Sequence, residues 1–160
     1  MRRERVSAGI LVYRWKDGGL EVLIAHPGGP FFISKDEGHW TIPKGEPRGD
    51  EDLTEAAVRE FSEEVGFVPS GPFMELGSIR QKGGKIVYAW ACEGDLPAGH
   101  VHKCNTFRME WPVDSGKFQS FPEIDQACFF PVGEARRKLK ATQVPLVDRL
   151  MEKIQEFRRD

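Results

Sequence analysis

The strongest periodic pattern of apolar and polar positions covers Asp50–Val65, near the middle of the chain. Its apolar side chains recur every four residues, at Leu53, Ala57, Phe61 and Val65. At about 100° per residue these positions form one stripe that should face a core. Asp50 is an acidic cap candidate, and Gly66 follows as the residue type that most easily takes the left-handed conformation at a helix end. The pattern predicts a helix over Asp50–Val65.

Two pairs of β-rich segments flank this helix. The segments are Val6–Trp15 and Leu20–Ala25 before it, and Met74–Gln81 and Lys85–Cys92 after it. Asp17-Gly18-Gly19 joins the first pair and Lys82-Gly83-Gly84 joins the second, which predicts two β-hairpins. Gly28–Gly38 is rich in glycine and proline and is predicted to be a loop.

The last third of the chain adds one candidate strand, Thr106–Trp111, and two predicted helices, Glu134–Lys140 and Pro145–Phe157. The last helix is indicated by apolar positions spaced three to four residues apart, at Leu146, Leu150, Ile154 and Phe157. Strands on both sides of a central helix, with further helices at the end, predict an α+β protein built as an α/β/α sandwich around a mixed sheet. A length of 160 residues fits one domain over residues 1–160.

The composition narrows the class of protein. Twenty-three Lys and Arg against 25 Asp and Glu give a net charge of −2, which offers no basic surface for long nucleic acid and favours small ligands. No apolar run approaches the roughly 18 residues of a membrane span, and the first residues lack the apolar core of a secretory signal. Three cysteines fit a reducing compartment better than a disulfide framework. We expect a cytoplasmic protein without a membrane partner, either a monomer or a homodimer.

Three carboxylates cluster near the end of the central helix, and two of them lie on its core-facing edge. Glu60 and Glu64 fall within roughly 20° of the azimuth of Leu53, and Glu63 stands between them in sequence. Carboxylates at i, i+3 and i+4 can converge on one point, where repulsion and desolvation are costly unless a cation is near. Hard oxygen ligands favour Mg²⁺ or Mn²⁺ over zinc. The alternative is a solvated acidic face balanced by lysines elsewhere.

Positive charge is predicted beside these carboxylates. Arg59 lies four residues after Glu55, an orientation suited to an ion pair, and can orient Glu60. In the glycine-containing loop before the helix, Lys44 and Arg48 offer positive charge to phosphate. A purely structural turn would also explain the glycines of this loop.

One spaced set of residues in this region resembles the signature box of the Nudix hydrolases. It consists of Gly45, five residues, Glu51, seven residues, and then Arg59-Glu60-Phe61-Ser62-Glu63-Glu64-Val65-Gly66-Phe67. All fixed positions are present, although Phe61 and Phe67 stand where the family usually carries aliphatic residues. Pro43-Lys44-Gly45-Glu46 and the chain length are similar to the branch that includes diadenosine tetraphosphate hydrolases.

The resemblance implies a Mg²⁺- or Mn²⁺-dependent hydrolase of a nucleoside diphosphate linked to another group. It implies that Glu60, Glu63 and Glu64 are metal ligands, joined by the backbone carbonyl of Lys44. It also implies that Arg59 orients Glu60.

Two further glutamates complete the predicted site. The resemblance implies that Glu51 supports the site or its water network. The general base varies in this family between a box glutamate and a residue on a later loop, and Glu123 is our candidate for it. A surface acid at a loop end is the alternative interpretation of Glu123.

Basic and aromatic side chains near the second hairpin are candidates for substrate contacts. Arg80, Lys82 and Lys85 can meet the distal phosphates of a polyphosphate, unless they only guard a solvated hairpin. Base stacking is a second possible role, for which the candidates are Tyr88, Trp90 and Phe32; aromatic residues in strands are more often core residues.

Histidine and cysteine residues offer two weaker features. His26 and His39 can touch phosphate, although a hydrogen-bonded loop residue is the favoured interpretation of each. His100-x-His102-x-Cys104, with Cys92 and Cys128, offers ligands for zinc but matches no strong zinc-finger spacing, so an exposed loop is favoured there.

The leading functional hypothesis is therefore a pyrophosphohydrolase acting on a dinucleoside polyphosphate such as diadenosine tetraphosphate. Other substrates that remain open are RNA 5′ ends, nucleoside triphosphates, ADP-ribose and nucleotide sugars. A third class is a non-catalytic nucleotide sensor. The acidic balance disfavours RNA, and the intact set of mutually repelling glutamates disfavours a silent sensor.

Overall fold

The strands form a main sheet and a small two-stranded sheet in the computed structural model, which describes residues 5–100 and 104–158. In chain order they are β1 (Val6–Lys16), β2 (Gly19–Pro27), β3 (Lys44–Gly45), β4 (Met74–Arg80), β5 (Ile86–Glu93), β6 (Thr106–Glu110), β7 (Phe118–Pro122) and β8 (Ile124–Pro131). The helices are α1 (Leu53–Val65), α2 (Val132–Lys138) and α3 (Val144–Arg158), and a short 3₁₀ helix, Ala141–Gln143, precedes α3.

The main sheet is mixed. Its strand order is β4-β5-β1-β2-β8, and β3 pairs with the beginning of β1. The β1–β5 pair is parallel, whereas the pairs β1–β2, β2–β8 and β4–β5 are antiparallel. β6 and β7 form the separate small sheet.

Helices cover both faces of the main sheet. Successive residues of β1 alternate between the two faces, so Ile10 and Val12 pack towards α1 while Leu11 packs towards α3. The α1 face is sealed by the fully buried helix residues Ala56, Ala57, Phe61 and Val65. The opposite face is sealed by Leu139, Leu146, Val147 and Leu150. This arrangement confirms the predicted α+β class and its α/β/α layering.

Both predicted hairpins are present. At the first, Asp17 and Gly18 both have positive φ, 52° and 80°, which is the geometry of a two-residue type I′ turn. Lys16 then pairs with Gly19 across the turn.

Three strands have no counterpart in the sequence predictions. β3 is only two residues long, and β7 and β8 are separated by the single residue Glu123. β8 is half-buried over most of its length and carries Asp125 and Gln126, so it shows no clean alternation of apolar and polar residues. Its place is fixed by pairing with β2, which lies about 100 residues earlier in the chain, from Glu21–Pro131 to Pro27–Ile124.

Helix α1 begins later than predicted. Its N-cap is Asp52, whose side chain accepts hydrogen bonds from the backbone N–H groups of Thr54 and Glu55, so the predicted cap at Asp50 is wrong. At the other end Gly66 has φ 79° and donates its N–H to Ser62, as its position predicted.

The two terminal helices are confirmed with shifted ends. α2 stops at Lys138 because Leu139 has an extended backbone and bridges to Trp40 beside β2. In α3, Leu146, Leu150 and Ile154 are buried as predicted; the side chain of Phe157 lies outside the described residues. Within the described ranges, none of the helices combines the length and the apolar character needed to cross a membrane.

Substituting Asp52 by alanine should lower the free energy of unfolding by about 1 kcal/mol, because two N–H groups of the first helical turn lose their acceptor. Urea denaturation measures this change. Asp50→Ala is the matched control, since Asp50 is exposed and its side chain makes no hydrogen bond among the described residues. Equal losses in the two variants would contradict the assignment of the cap to Asp52.

Candidate active site

Two glycines bring β3 against β1 and α1. Lys44 pairs with Gly9, and a methyl group on Gly9 would lie 2.8 Å from Cβ of Lys44 and from the carbonyl oxygen of Pro43. Gly45 points to the opposite face, where a methyl group would lie 2.1 Å from Cδ and Oε2 of Glu60. Any side chain at position 45 would therefore displace the Glu60 carboxylate.

Arg59 is the hub of the charged residues on α1. It makes a two-pronged contact with Glu51, from Nε and Nη2 to the two carboxylate oxygens, each at 2.9 Å. Its Nη1 donates to Glu60 at 2.8 Å and to Glu63 at 3.3 Å, and its Nη2 also donates to the carbonyl of Glu46 at 3.1 Å. One guanidinium is thus shared by three carboxylates and one loop carbonyl.

This network confirms one predicted contact and corrects another. Arg59 meets Glu60, as expected, but its acidic partner from the preceding turn is Glu51 and not Glu55. Glu51 lies before the helix starts, where its carboxylate can face the guanidinium with both oxygens. Glu55 stays exposed on the first turn of α1.

The charges around Arg59 have opposite effects on two neighbouring glutamates. Hydrogen bonds from Arg59, with one from the Arg48 backbone, lower the pKa of Glu51 to about 2. Burial raises the pKa of Glu64 to about 8, although the Lys44 charge and its N–H, which donates to Glu64 Oε2 at 3.1 Å, act in the other direction. Glu51 is therefore held as an anion, whereas burial penalises the charge of Glu64.

Glu123 lies close to the same carboxylates. Burial raises its pKa, and repulsion from Glu60 and Glu63 adds to the effect; Glu123 in turn raises the pKa of Glu64. Its backbone is fixed on both sides, because its N–H donates to the carbonyl of Asn105 and its carbonyl accepts from Gly28. The loop between β7 and β8 thus brings a distant acid to the carboxylates of α1.

The side chains of α1 do not converge on a single point in the arrangement observed. Within residues 5–100 and 104–158, no three His, Cys, Asp or Glu side chains meet in a metal-binding geometry. Glu60 and Glu63 are turned to Arg59, and Glu64 is turned to the β3 backbone. The predicted convergence of the three glutamates is therefore not formed here.

The donor set nevertheless fits a divalent cation. Glu60, Glu63, Glu64 and Glu123 influence one another electrostatically, and Arg59 must already neutralise three carboxylates, including Glu51. Negative charge therefore exceeds the local positive charge, and its carriers are hard oxygens. The space beside Gly45 is filled by the carboxylate end of Glu60, which Arg59 holds by a hydrogen bond.

A cavity of about 440 Å³ lies beside the 3₁₀ helix, and one of the predicted substrate contacts, Lys82, lines it. The other residues that line it are Phe32, Gly38, His39, Gln81, Lys140, Ala141 and Thr142. Phe32 and His39 form one wall, with their rings tilted and 6.4 Å apart. Lysines and an aromatic wall together suit a nucleotide.

Lys44 links this cavity to the carboxylates electrostatically. Burial lowers the pKa of its amine, and the nearby charges of Lys85 and Lys140 lower it further, whereas Glu64 and Glu60 raise it. The amine is thus within range of both the lysines and the glutamates.

The remaining predicted substrate residues are dispersed. Arg48 donates to Glu63 at 3.2 Å from an exposed position. Arg80 hydrogen-bonds the carbonyl of Gly84 inside its own hairpin. Tyr88 lies across β1 from Gly45, about 10 Å away at two strand spacings, on the α1 face.

Several weaker candidates have structural roles. Trp90 packs against the core beneath α1. His26 is buried and engaged on both ring nitrogens, by Asp125 at 2.7 Å and the Lys35 carbonyl at 2.5 Å, so the favoured hydrogen-bonded role is confirmed, although His26 lies in β2 and not in a loop.

The possible zinc ligands do not assemble. Cys92 and Cys128 pack on opposite faces of the sheet, and His100 bonds the carbonyl of Val65 at the end of α1. Cys104 donates to the Ile124 carbonyl, and His102 lies outside the described residues.

Sequence analysis missed three residues around the site. Glu46 pairs with Lys85 through its carboxylate while its carbonyl holds Arg59. Gln143 and Gln81 are hydrogen-bonded to each other beside the cavity. Each contact joins elements far apart in the chain, so no local spacing indicates it.

Comparison with known proteins identifies a family and several similar folds. A model of the NUDIX domain matches residues 3–150. The NUDIX domain of Shewanella oneidensis NrtR, crystallised with ADP ribose, has a TM-score of 0.67 at 15% identity, over 96% of this chain and 90% of that one. A binary complex of a C. elegans Ap4A hydrolase has a TM-score of 0.65 at 21% identity, over 95% and 98%. At these identities the likeness concerns the fold alone. The curated proteins give no significant match.

Gly45→Ala should weaken Mn²⁺ binding by at least about tenfold, because the new methyl group displaces the Glu60 carboxylate. The free energy of unfolding should fall by less than about 1 kcal/mol, since only the end of a flexible side chain has to move. Electron paramagnetic resonance of Mn²⁺ and urea denaturation measure the two quantities. Gly133→Ala is the control, because nothing lies within 4 Å of a methyl group there. Unchanged Mn²⁺ affinity in Gly45→Ala would contradict the role given to Glu60.

Proposed function

Since this chain belongs to the NUDIX family, we propose that it hydrolyses a phosphoric anhydride bond in a nucleoside diphosphate linked to another group, with Mg²⁺ or Mn²⁺ as its cofactor. The observation that carries the proposal is the shared guanidinium of Arg59. Three carboxylates depend on it, and two more, Glu64 and Glu123, lie within electrostatic range. Repulsion among carboxylates with so little neutralising charge destabilises the fold, so a structural role alone does not explain them. Bound cations would relieve this repulsion.

The proposed metal ligands are Glu60, Glu63, Glu64 and the backbone carbonyl of Lys44. When bound, Mg²⁺ or Mn²⁺ screens the negative charge of the phosphates and lowers the pKa of a coordinated water. Arg59 orients Glu60 and Glu63, and Glu51 holds Arg59 in place by its two-pronged contact. Because Glu51 contacts the arginine and not the other acids, we assign it a positioning role.

Glu123 is the proposed general base. It comes from a loop remote in sequence, yet Glu60 and Glu63 both act on its charge. Hydrogen bonds hold the backbone of Glu123, and a carboxylate carried at this position can accept the proton of an attacking water.

The proposed substrate is a dinucleoside polyphosphate such as diadenosine tetraphosphate. The cavity beside Phe32 and His39 suits a base, and its Lys82 and Lys140 suit phosphate oxygens. The Lys44 amine lies within electrostatic range of both the lysines and the glutamates. We assign Arg48, Arg80 and Tyr88 to contacts with the rest of the ligand. The similar structures include an Ap4A hydrolase and a complex with ADP ribose, which supports the class of a nucleoside diphosphate linked to another group.

A nucleotide sensor without catalytic activity is the second candidate. It is favoured by one similar structure, NrtR of Shewanella oneidensis, which was also crystallised with a 27mer DNA. A screen of possible substrates separates the candidates, because a sensor binds a nucleotide without releasing product in Mg²⁺.

The test is a chromatographic screen, with Mg²⁺, for the hydrolysis products of diadenosine tetraphosphate, ADP-ribose, nucleotide sugars, nucleoside triphosphates and a short triphosphorylated RNA. Glu63→Gln should lower kcat on the best substrate by about 10²- to 10⁴-fold, because Glu63 loses the negative charge with which it binds the metal and contacts Arg59. Its thermal unfolding should remain cooperative.

Glu55→Gln is the control for this variant, since Glu55 is exposed on the same helix and outside the Arg59 network. Its kcat should match that of the unmodified protein. Full activity in Glu63→Gln would refute the proposed metal site, and an absence of turnover on every substrate would leave the sensor as the better description.

A further inference from the structure

Gln143 is a fully buried polar residue that joins three parts of the chain. It ends the 3₁₀ helix before α3, and its Oε1 accepts the backbone N–H of Ile42 at 2.8 Å. Its Nε2 donates to Oε1 of Gln81 at 2.9 Å, in the hairpin between β4 and β5. Two side-chain amides thus form a relay from a buried backbone to the cavity that Gln81 lines.

The direction of this relay is fixed by chemistry. A backbone N–H can only donate, so Gln143 must turn its oxygen to Ile42. Its amide nitrogen must then face Gln81, which can accept only through its own oxygen. The NH₂ group of Gln81 is consequently the end left over for a ligand, and among the described residues it has no hydrogen-bond partner.

Gln81 is also held rigidly by its backbone. Its N–H donates to the Lys85 carbonyl at 2.8 Å, and its carbonyl accepts from Gly84 at 3.0 Å. With the side chain held by Gln143, neither end of the residue is free to turn. A donor that is fixed in advance loses little entropy when a ligand binds.

The two charged side chains of the cavity lining have the same polarity. Lys82 and Lys140 can only donate, and no carboxylate is found among the described residues that line the cavity, where, the glutamine aside, only His39 and Thr142 have side chains that can also accept. A ligand group placed beside the lysines therefore needs acceptor atoms, such as phosphate oxygens or the acceptor edge of a base stacked on Phe32.

We infer that Gln81 determines specificity by donating a hydrogen bond to an acceptor atom of the bound nucleotide, and that Gln143 positions it by fixing the direction of the amide. The inference rests on the proposed function, because it takes the cavity to be part of the nucleotide site. It adds a requirement that the glutamates do not impose, namely which hydrogen-bonding polarity the ligand must show at this point.

The experiment is calorimetric titration in EDTA, where no turnover occurs, with diadenosine tetraphosphate, ADP-ribose, ATP and inorganic tripolyphosphate as probes. Gln81→Met keeps the size of the side chain but removes the donor, and should weaken the tightest nucleotide about 3- to 10-fold. Gln81→Glu presents an acceptor and a charge, and should weaken it more.

Gln143→Glu tests the relay without touching the ligand. A carboxylate still accepts from Ile42 but can no longer donate to Gln81, so the Gln81 amide should turn and present its oxygen to the cavity. The affinity should then fall at least as far as in Gln81→Met, whereas a merely structural link between the two glutamines would leave it unchanged. Gln155→Glu, on the exposed surface of α3, is the matched control for the added charge.

The outcomes separate this inference from the proposed function. If the unmodified protein binds no nucleotide in EDTA, the inference is overturned, whereas the proposed function is decided by the substrate screen in Mg²⁺. If it binds a nucleotide and both Gln81 variants bind it equally well, only the inference is overturned, and these two variants decide the matter if Gln143→Glu does not fold. A loss shared by tripolyphosphate identifies the acceptor as a phosphate oxygen, whereas a loss confined to nucleotides identifies it as part of the nucleoside; both support the inference.

Discussion

The sharing of one guanidinium by three carboxylates is the constraint on which the site depends. Apolar packing of Ala57 and Phe61 positions α1 on the sheet, but it says nothing about where the acids on the neighbouring edge point. Arg59 decides that, because its planar fork binds Glu51 with two nitrogens and leaves the third to Glu60 and Glu63. A lysine would provide the charge without this geometry. The same guanidinium also holds the Glu46 carbonyl, so the loop after β3 and the helix are aligned by one residue.

The two residues of β3 separate the acidic and the basic halves of the site. Neighbouring residues of a strand point to opposite faces, so Gly45 opens towards Glu60 while Lys44 lies beside Gly9 on the other face. The acids of α1 and the lysines around the cavity are therefore divided by a sheet rather than by a long distance. One hydrogen bond still joins β3 to the acids, because the Lys44 N–H donates to Glu64.

Sequence analysis recovered what local patterns encode and missed what distant contacts create. Helix α1, both hairpins and the acids of the box follow from spacing over a few residues, and the structure contains them. β8 was missed because its place depends on pairing with β2 and not on its own alternation. The predicted partner of Arg59, Glu55, was wrong for a related reason. Helical spacing favours Glu55, whereas Glu51, which lies before the helix, can reach the guanidinium with both oxygens. The cavity lies beyond local reasoning, because its lining comes from three separate parts of the chain.

Gln143 shows why a buried polar residue can be more informative than a buried apolar one. Its two hydrogen bonds offset the cost of desolvating the amide, so little net stability is expected from it compared with a well-packed leucine. What the amide adds is direction, because each donor and acceptor in the relay leaves only one arrangement for the next. A backbone N–H in the core thereby determines the polarity of a surface cavity without contacting any ligand. The acids of α1 make the site suitable for cations and anhydride chemistry, whereas discrimination between ligands is a matter for residues such as these, on the other face of the sheet.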